Sequence, residues 1–308
     1  MTNKKGQLST LWCSPKHSQF VITTKRDRAT RLPFHIVITI EYFGFFIINF
    51  FENLQNLLFW YNQKIINYIK PMQTFSQEIH QKFKKYFSIK ESPSLTDSKL
   101  FNKTYKYIPY IKWIPGIKFI WVGNSTSMFA SNEESDIDLF IITSKNRMWL
   151  VRILTTFIFQ ILWVRKTWKY HEKRFCLSFF ATTKEMDFKN FALENDIYLY
   201  FWIIYLKPIL DFDNTYTNFL KSQSWCDIQN FENIITENKN FIKYSWKSFW
   251  NNSKILDIIN TILEKIFLPK TLKSYLKLNK PYGIIISENM LKFHDNDRRK
   301  EIKKELFD

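Results

Sequence analysis

Two aspartates one residue apart, Asp136 and Asp138, open the apolar run Leu139-Phe140-Ile141-Ile142, eleven residues after the serine of Val122-Gly123-Asn124-Ser125. On a strand, side chains alternate between faces, so both carboxylates project to one side while Ile137 and Leu139 enter the other. Neighbouring carboxylates repel and are costly without positive charge against them. A divalent cation that also engages phosphate oxygens meets that demand. The feature therefore calls for a strand, a tight turn beside it and an apolar layer that holds both in place.

The flanking pattern supplies these parts. A strand is predicted over Ile117–Val122, a turn at Gly123 with a short helical stretch through Met128, and a second strand over Asp136–Thr143. A helix follows from about Arg147 to Arg165; Arg152 interrupts its apolar side, which makes it a core helix rather than a membrane span. A third strand is expected over Arg174–Ala181, and Ile197–Tyr205 reads as part of a buried helix. Beyond Pro208 come a turn-rich stretch, Asp211–Thr217, and several helices with lysines on their polar faces. No internal repeat is visible. Strands alternating with helices point to an α/β or α+β domain with helical extensions.

Upstream, Lys99–Tyr107 reads as a helix, preceded by a linker over 88–98. Two further helical stripes are carried by Leu57, Leu58, Tyr61, Ile65 and Tyr68, and by Phe75, Ile79, Phe83 and Phe87. Residues 1–33 hold seven Lys/Arg against the single Asp27 and lack periodicity, which predicts a basic disordered arm. The organisation expected is an arm over 1–33, a helical apolar-rich extension over 34–95, a core over 96–215 and a mainly helical region over 216–308.

Residues 34–51 are the one membrane candidate, long enough to cross a bilayer. Glu41 near their middle would cost roughly 2.5–3.5 kcal/mol on insertion scales, which favours a buried hairpin or helix over an anchor. A cytoplasmic protein is expected, with membrane association through 34–51 as the alternative. Cys13, Cys176 and Cys226 are odd in number and far apart, so neither a disulfide framework nor a cysteine zinc motif is indicated, in keeping with a reducing compartment. A formal charge of +17 favours polyanionic partners, RNA among them, although lysine-rich solvated surfaces produce the same balance.

The serine turn followed by the aspartate pair resembles the signature of the DNA polymerase beta-like nucleotidyltransferase superfamily. The stretch from about Tyr105 onward also resembles a group of uncharacterised bacterial nucleotidyltransferase-domain proteins. That likeness rests on Trp113-Ile114-Pro115, Cys176-Leu177, Leu206-Lys207-Pro208, Phe219 to Trp225, and the closing Leu291 to Arg299. The resemblance implies a small mixed-sheet core in which Asp136 and Asp138 bind one or two Mg²⁺ ions. Gly123, Asn124, Ser125 and Ser127 would hold the phosphates of an NTP, and a nucleoside monophosphate would pass to a hydroxyl acceptor with release of pyrophosphate.

The chain departs from that pattern in three places. Asn124 stands where the family has its turn glycine, with Gly123 one position early. Phe129 replaces a small residue and would crowd the nucleotide pocket. The third strand, Arg174–Ala181, carries no acid; Ser178 is its polar inward candidate, with Asp187, Asp196 or Asp297 as alternative sources of a third carboxylate. The rival to an active enzyme is therefore an inactive relative that binds nucleotide or RNA. His294 with Asp295 and Asp297 reads as a capped turn before a basic helix over Arg298–Lys304, or as a metal or acid–base site. Asp211-Phe212-Asp213-Asn214 lacks the glycine and closing glutamate of a calcium loop and is rejected as one.

Overall fold

In the computed structural model the described residues are 72–246, 253–278, 281–294 and 296–307. The basic arm over 1–33, the apolar run 34–51 and the stripe from Leu54 to Tyr68 lie outside them. Among the described residues no helix is long and apolar enough to cross a membrane.

The organising element is a seven-stranded mixed sheet. In chain order its strands are β1 (Ile117–Val122), β2 (Ile137–Thr143), β3 (Phe175–Thr182), β4 (Lys207–Phe212), β5 (Tyr244–Trp246), β6 (Ile284–Ile286) and β7 (Met290–Phe293). Across the sheet they run β5-β4-β1-β2-β3-β7-β6. β2 lies antiparallel to β1 and parallel to β3, the latter joined by a crossover through helix α4 (Met148–Ile161). This α/β architecture agrees with the class read from the sequence. Three of the seven strands come from beyond residue 215, so the sheet draws the C-terminal region into the same layer as the aspartate strand.

Each face of the sheet is covered by a separate apolar cluster. Phe119, Trp121, Phe140, Ile142 and Phe179 face one side, where they meet Phe219 and the helix α5 (Ile197–Tyr205). Ile120, Val122, Leu139, Ile141 and Phe180 face the other, against α4 and the helix α2 (Leu95–Tyr107). α5 is apolar nearly all round and is correspondingly buried on nearly every side. Its N-terminus is capped by Asp196, whose carboxylate accepts from the Leu199 amide at 3.0 Å.

Several elements differ in extent from the expected ones. α2 starts four residues early, at Leu95, because Ser94 and Asp97 form a reciprocal capping box inside the expected linker. The stripe of Phe75, Ile79 and Phe83 becomes helix α1 (Gln77–Tyr86), packed on the first cluster. The turn-rich stretch expected over Asp211–Thr217 narrows to a turn at Asp213 and Asn214, between β4, an interior strand, and a helix that starts at Thr215. A proline has no amide for a ladder, and a register irregularity between Ile120 and Trp121, opposite Leu210 and Pro208, accommodates it. Gly116, just before β1, has φ +102°, and a Cβ there would lie 2.5 Å from the Arg147 side chain.

Candidate metal centre

The candidate site lies where β2 begins, on the sheet face covered by α5. Gly123 leaves β1 and donates its amide to the Asp138 carbonyl at 3.0 Å, which ties the serine turn to the aspartate strand. A four-residue helix, α3 (Asn124–Ser127), follows immediately. Asn124 takes the left-handed conformation (φ 53°), which asparagine tolerates better than most residues, so the turn survives without a glycine there. The glycine one position earlier serves another need: a Cβ on Gly123 would sit 3.1 Å from Trp202 Nε1.

Asn124 is the hub of the site. Its Nδ2 donates to Asp138 Oδ2 at 2.7 Å. Its Oδ1 accepts from Trp202 Nε1 at 2.9 Å and from the Tyr198 hydroxyl at 3.2 Å. The amide orientation is thereby fixed by two donors on α5, and Asp138 is held against the turn. Ser125 is half-buried at the start of α3. Ser127, by contrast, is buried, and its hydroxyl donates to the Asn124 carbonyl at 2.9 Å, which closes the short helix.

Asp136 and Asp138 do share a face, and a third donor joins them. Asp138 is the register partner of Cys176 on β3. The ligand atoms of Asp136, Asp138 and Cys176 all lie within 4.8 Å of one another. A bulge makes this possible: between the pairs Asp138–Cys176 and Phe140–Phe179, β3 spends one residue more than β2. With Phe179 packed on the first cluster, strict alternation would turn Cys176 away; the extra residue restores it to the carboxylate side.

The three acids considered for the third position are engaged elsewhere. Asp187 accepts from Lys189 and Ser224, Asp196 pairs with Arg299 at 2.8 Å, and Asp297 pairs with Lys292 at 2.9 Å and Arg299 at 3.0 Å. Ser178 meets His294 Nε2 at 3.2 Å. His294 thus lines the cavity beside Asn124 and, among the described residues, joins no cluster of metal-ligating groups; Asp295 lies outside them. Asp297 accepts from the Arg299 amide at 3.2 Å at the start of helix α6 (Arg299–Phe307), the capped turn of the simpler expectation. Phe129 is packed in the cluster on the opposite sheet face, beside Phe101, so it leaves the carboxylate side uncrowded.

The electrostatics are those of anions in need of a cation. Burial and the charge of Asp136 push the Asp138 carboxyl up to about 6, against the opposing pull of the Asn124 and Cys176 hydrogen bonds. Burial and the Asp138 charge also push the Cys176 thiol upward. The Lys166 ammonium lies 2.6 Å from Asp136 Oδ2. Burial opposes its charge, but the hydrogen bond to Asp136 and the anionic neighbours outweigh it and hold its pKa above the usual lysine value. A side-chain cation therefore already stands at the position that the carboxylates favour for positive charge.

Two cavities flank the centre. One, of about 210 Å³, borders Asn124 and is lined by Phe179, Tyr198, Trp202, His294 and Arg298 among others. The second, of about 380 Å³, borders Cys176 and Ser178 and carries the cations Arg152, Arg165 and Lys166. Two oxygens and a sulfur fit a divalent cation, although Mg²⁺ prefers an octahedron of oxygens. Comparison with known proteins adds no assignment: no protein-family model, curated protein or solved structure matches this chain.

Proposed function

We propose that this chain is a metal-dependent nucleotidyltransferase that moves a nucleoside monophosphate from an NTP to a hydroxyl acceptor. The observation that carries the reading is the bond from Asn124, which lines an aromatic-walled cavity, to Asp138, joining a serine-bearing turn to a pair of same-face carboxylates. Asp136 and Asp138 would hold the cation, with Asn124 fixing the orientation of Asp138. When bound, the cation supplies charge neutralisation for the triphosphate and for the departing pyrophosphate.

The remaining roles fall to this chain's own groups. The Ser125 hydroxyl and the amides that open α3 would receive phosphate oxygens, since Asn124 ties this turn to Asp138. Lys166, which pairs with Asp136 here, would be free to pair with phosphate where a cation took its place on that carboxylate. The cavity walled by Tyr198, Trp202 and Phe179 admits the nucleoside, since a planar base gains from aromatic contact. Arg152 and Arg165 line the far side and favour an acceptor that is itself anionic, such as RNA.

A second reading is favoured by the Lys166–Asp136 ion pair: an inactive protein of the same fold in which lysine permanently replaces the metal and nucleotide or RNA is only bound. Calorimetric titration with each NTP separates the two. The enzyme reading expects binding that requires divalent cation and is lost in Asp136→Asn and Asp138→Asn. Binding that is indifferent to EDTA and to both substitutions supports the inactive module and sinks the enzyme.

A further inference from the structure

The third donor at the centre is a thiol, and its consequence is ion selectivity. We infer that Cys176 is a metal ligand, and that the centre Asp136–Asp138–Cys176 holds a borderline transition cation of the Zn²⁺ or Co²⁺ kind through a metal–sulfur bond. The inference rests on the metal-dependent reading above and adds the identity of its third ligand and its ion class.

The geometry is specific to this chain. Cys176 is placed by the parallel register with Asp138 and by the bulge in β3, not by chance proximity on a loop. At the tetrahedral angles of a Zn²⁺ or Co²⁺ site, donor atoms with bonds of 2.0–2.3 Å stand about 3.3–3.8 Å apart. The three atoms here lie within 4.8 Å of one another, so a closure of about 1 Å, within the reach of side-chain rotation, brings them onto one ion. Three protein ligands leave a coordination position open for a water or a phosphate oxygen. The Lys166 ammonium occupies Asp136 in this structure, so an entering ion has to displace it from that carboxylate.

The chemistry of the donors then discriminates. Carboxylate oxygens suit Mg²⁺ and Mn²⁺ as well as Zn²⁺, whereas thiolate sulfur favours the softer ions. On binding, the S–H bond breaks, the metal–sulfur bond forms and the thiol proton leaves to solvent, so loading releases a proton. The other described cysteine, Cys226, is buried beside a different part of the first cluster and serves as an internal control.

The test is a metal titration of the full-length protein with Zn²⁺, Co²⁺ and Mg²⁺, read by calorimetry and, for Co²⁺, by the near-ultraviolet sulfur-to-cobalt charge-transfer band. Wild type and Cys226→Ser should show the band, and Cys176→Ser should lack it. Loss of a ligand should weaken Zn²⁺ by at least the ~10–100-fold that loss of an outer-shell partner costs, with Mg²⁺ affinity little changed. Cys176→Asp should loosen Zn²⁺ and tighten Mg²⁺. Thermal melting of the metal-free variants checks that each is folded.

Ions that bind through Asp136 and Asp138 with no sulfur band, and with a Zn²⁺ to Mg²⁺ affinity ratio unchanged in Cys176→Ser, overturn the inference and leave the nucleotidyltransferase reading standing. A folded wild-type protein that binds no divalent ion, with or without NTP, overturns both.

Discussion

Replacing Asp138 by Asn should stabilise the metal-free protein at neutral pH. Asp138 has an ordinary value of 3.8, and in the folded chain burial and the charge of Asp136 raise it to about 6. Below 3.8 it is neutral in both folded and unfolded chains and costs nothing. As pH rises from 3.8 to about 6 the unfolded chain releases the proton while the folded chain retains it, so stability falls across that window and stays reduced above it. Roughly two pH units at ~1.4 kcal/mol each set the cost on the order of 2–3 kcal/mol. The shift already contains the hydrogen bonds from Asn124 and Cys176, and an amide oxygen at position 138 can still accept from Asn124.

Urea denaturation in EDTA at pH 4 and pH 7.5 measures this directly. Asp138→Asn should match wild type at pH 4 and exceed it by 2–3 kcal/mol, on the order given by the shift, at pH 7.5. Buried His80 and His294 titrate in the same window, but both proteins carry them, so they cancel in the difference. A saturating divalent ion should then stabilise wild type and leave the variant unmoved. Equal stability at both pH values, or a gain independent of pH, would refute the argument that Asp138 is a destabilised carboxylate awaiting a cation.

Other perturbations give further expectations. Asn124→Ala leaves the Trp202 indole N–H and the Tyr198 hydroxyl without their acceptor and puts alanine at a positive φ. It should cost about 2–4 kcal/mol by urea midpoint and abolish NTP binding, with Asn124→Gly recovering part of the stability but not the binding. Arg299→Met strands the buried carboxylate of Asp196 and takes one partner from Asp297, for an expected loss of about 3–5 kcal/mol in the same assay. His80 is depressed from 6.5 to about 4 by burial, then by Lys84, so its contribution is complete above 6.5 and lost as pH falls through that window. His80→Phe should therefore flatten stability between pH 6.5 and 4, even though the Tyr205 hydroxyl loses its partner at 2.6 Å.

The sequence was most legible where one local rule dominated. Ile117–Val122 matches the expected strand, apolar but for Lys118 and set between Gly116 and Gly123, and the expected buried helix is the apolar run Ile197–Tyr205 behind its Asp196 cap. The shared face of Asp136 and Asp138 followed from strand alternation alone. β4 was hidden because Pro208 argues against an interior strand, and only the irregular register with β1 reveals how it is tolerated. Cys176 was missed for a related reason. The resemblance calls for an acid as the third group, and the bulge that turns the thiol toward Asp138 is set by pairing across strands, which no local pattern encodes. The closing Leu291–Phe293 segment gave no sign that it is β7, the neighbour of β3 that brings His294 to Ser178.

The central claim is that Asp136 and Asp138 carry metal-dependent nucleotidyl transfer. Pyrophosphate release from each labelled NTP, with Mg²⁺, Mn²⁺ or Zn²⁺ and with RNA or a small hydroxyl compound as acceptor, tests it most directly. The account predicts release with at least one ion and NTP, stopped by EDTA and by Asp136→Ala with Asp138→Ala. No release under any of these conditions from a protein that also binds no NTP, or release that survives the double substitution, would contradict it.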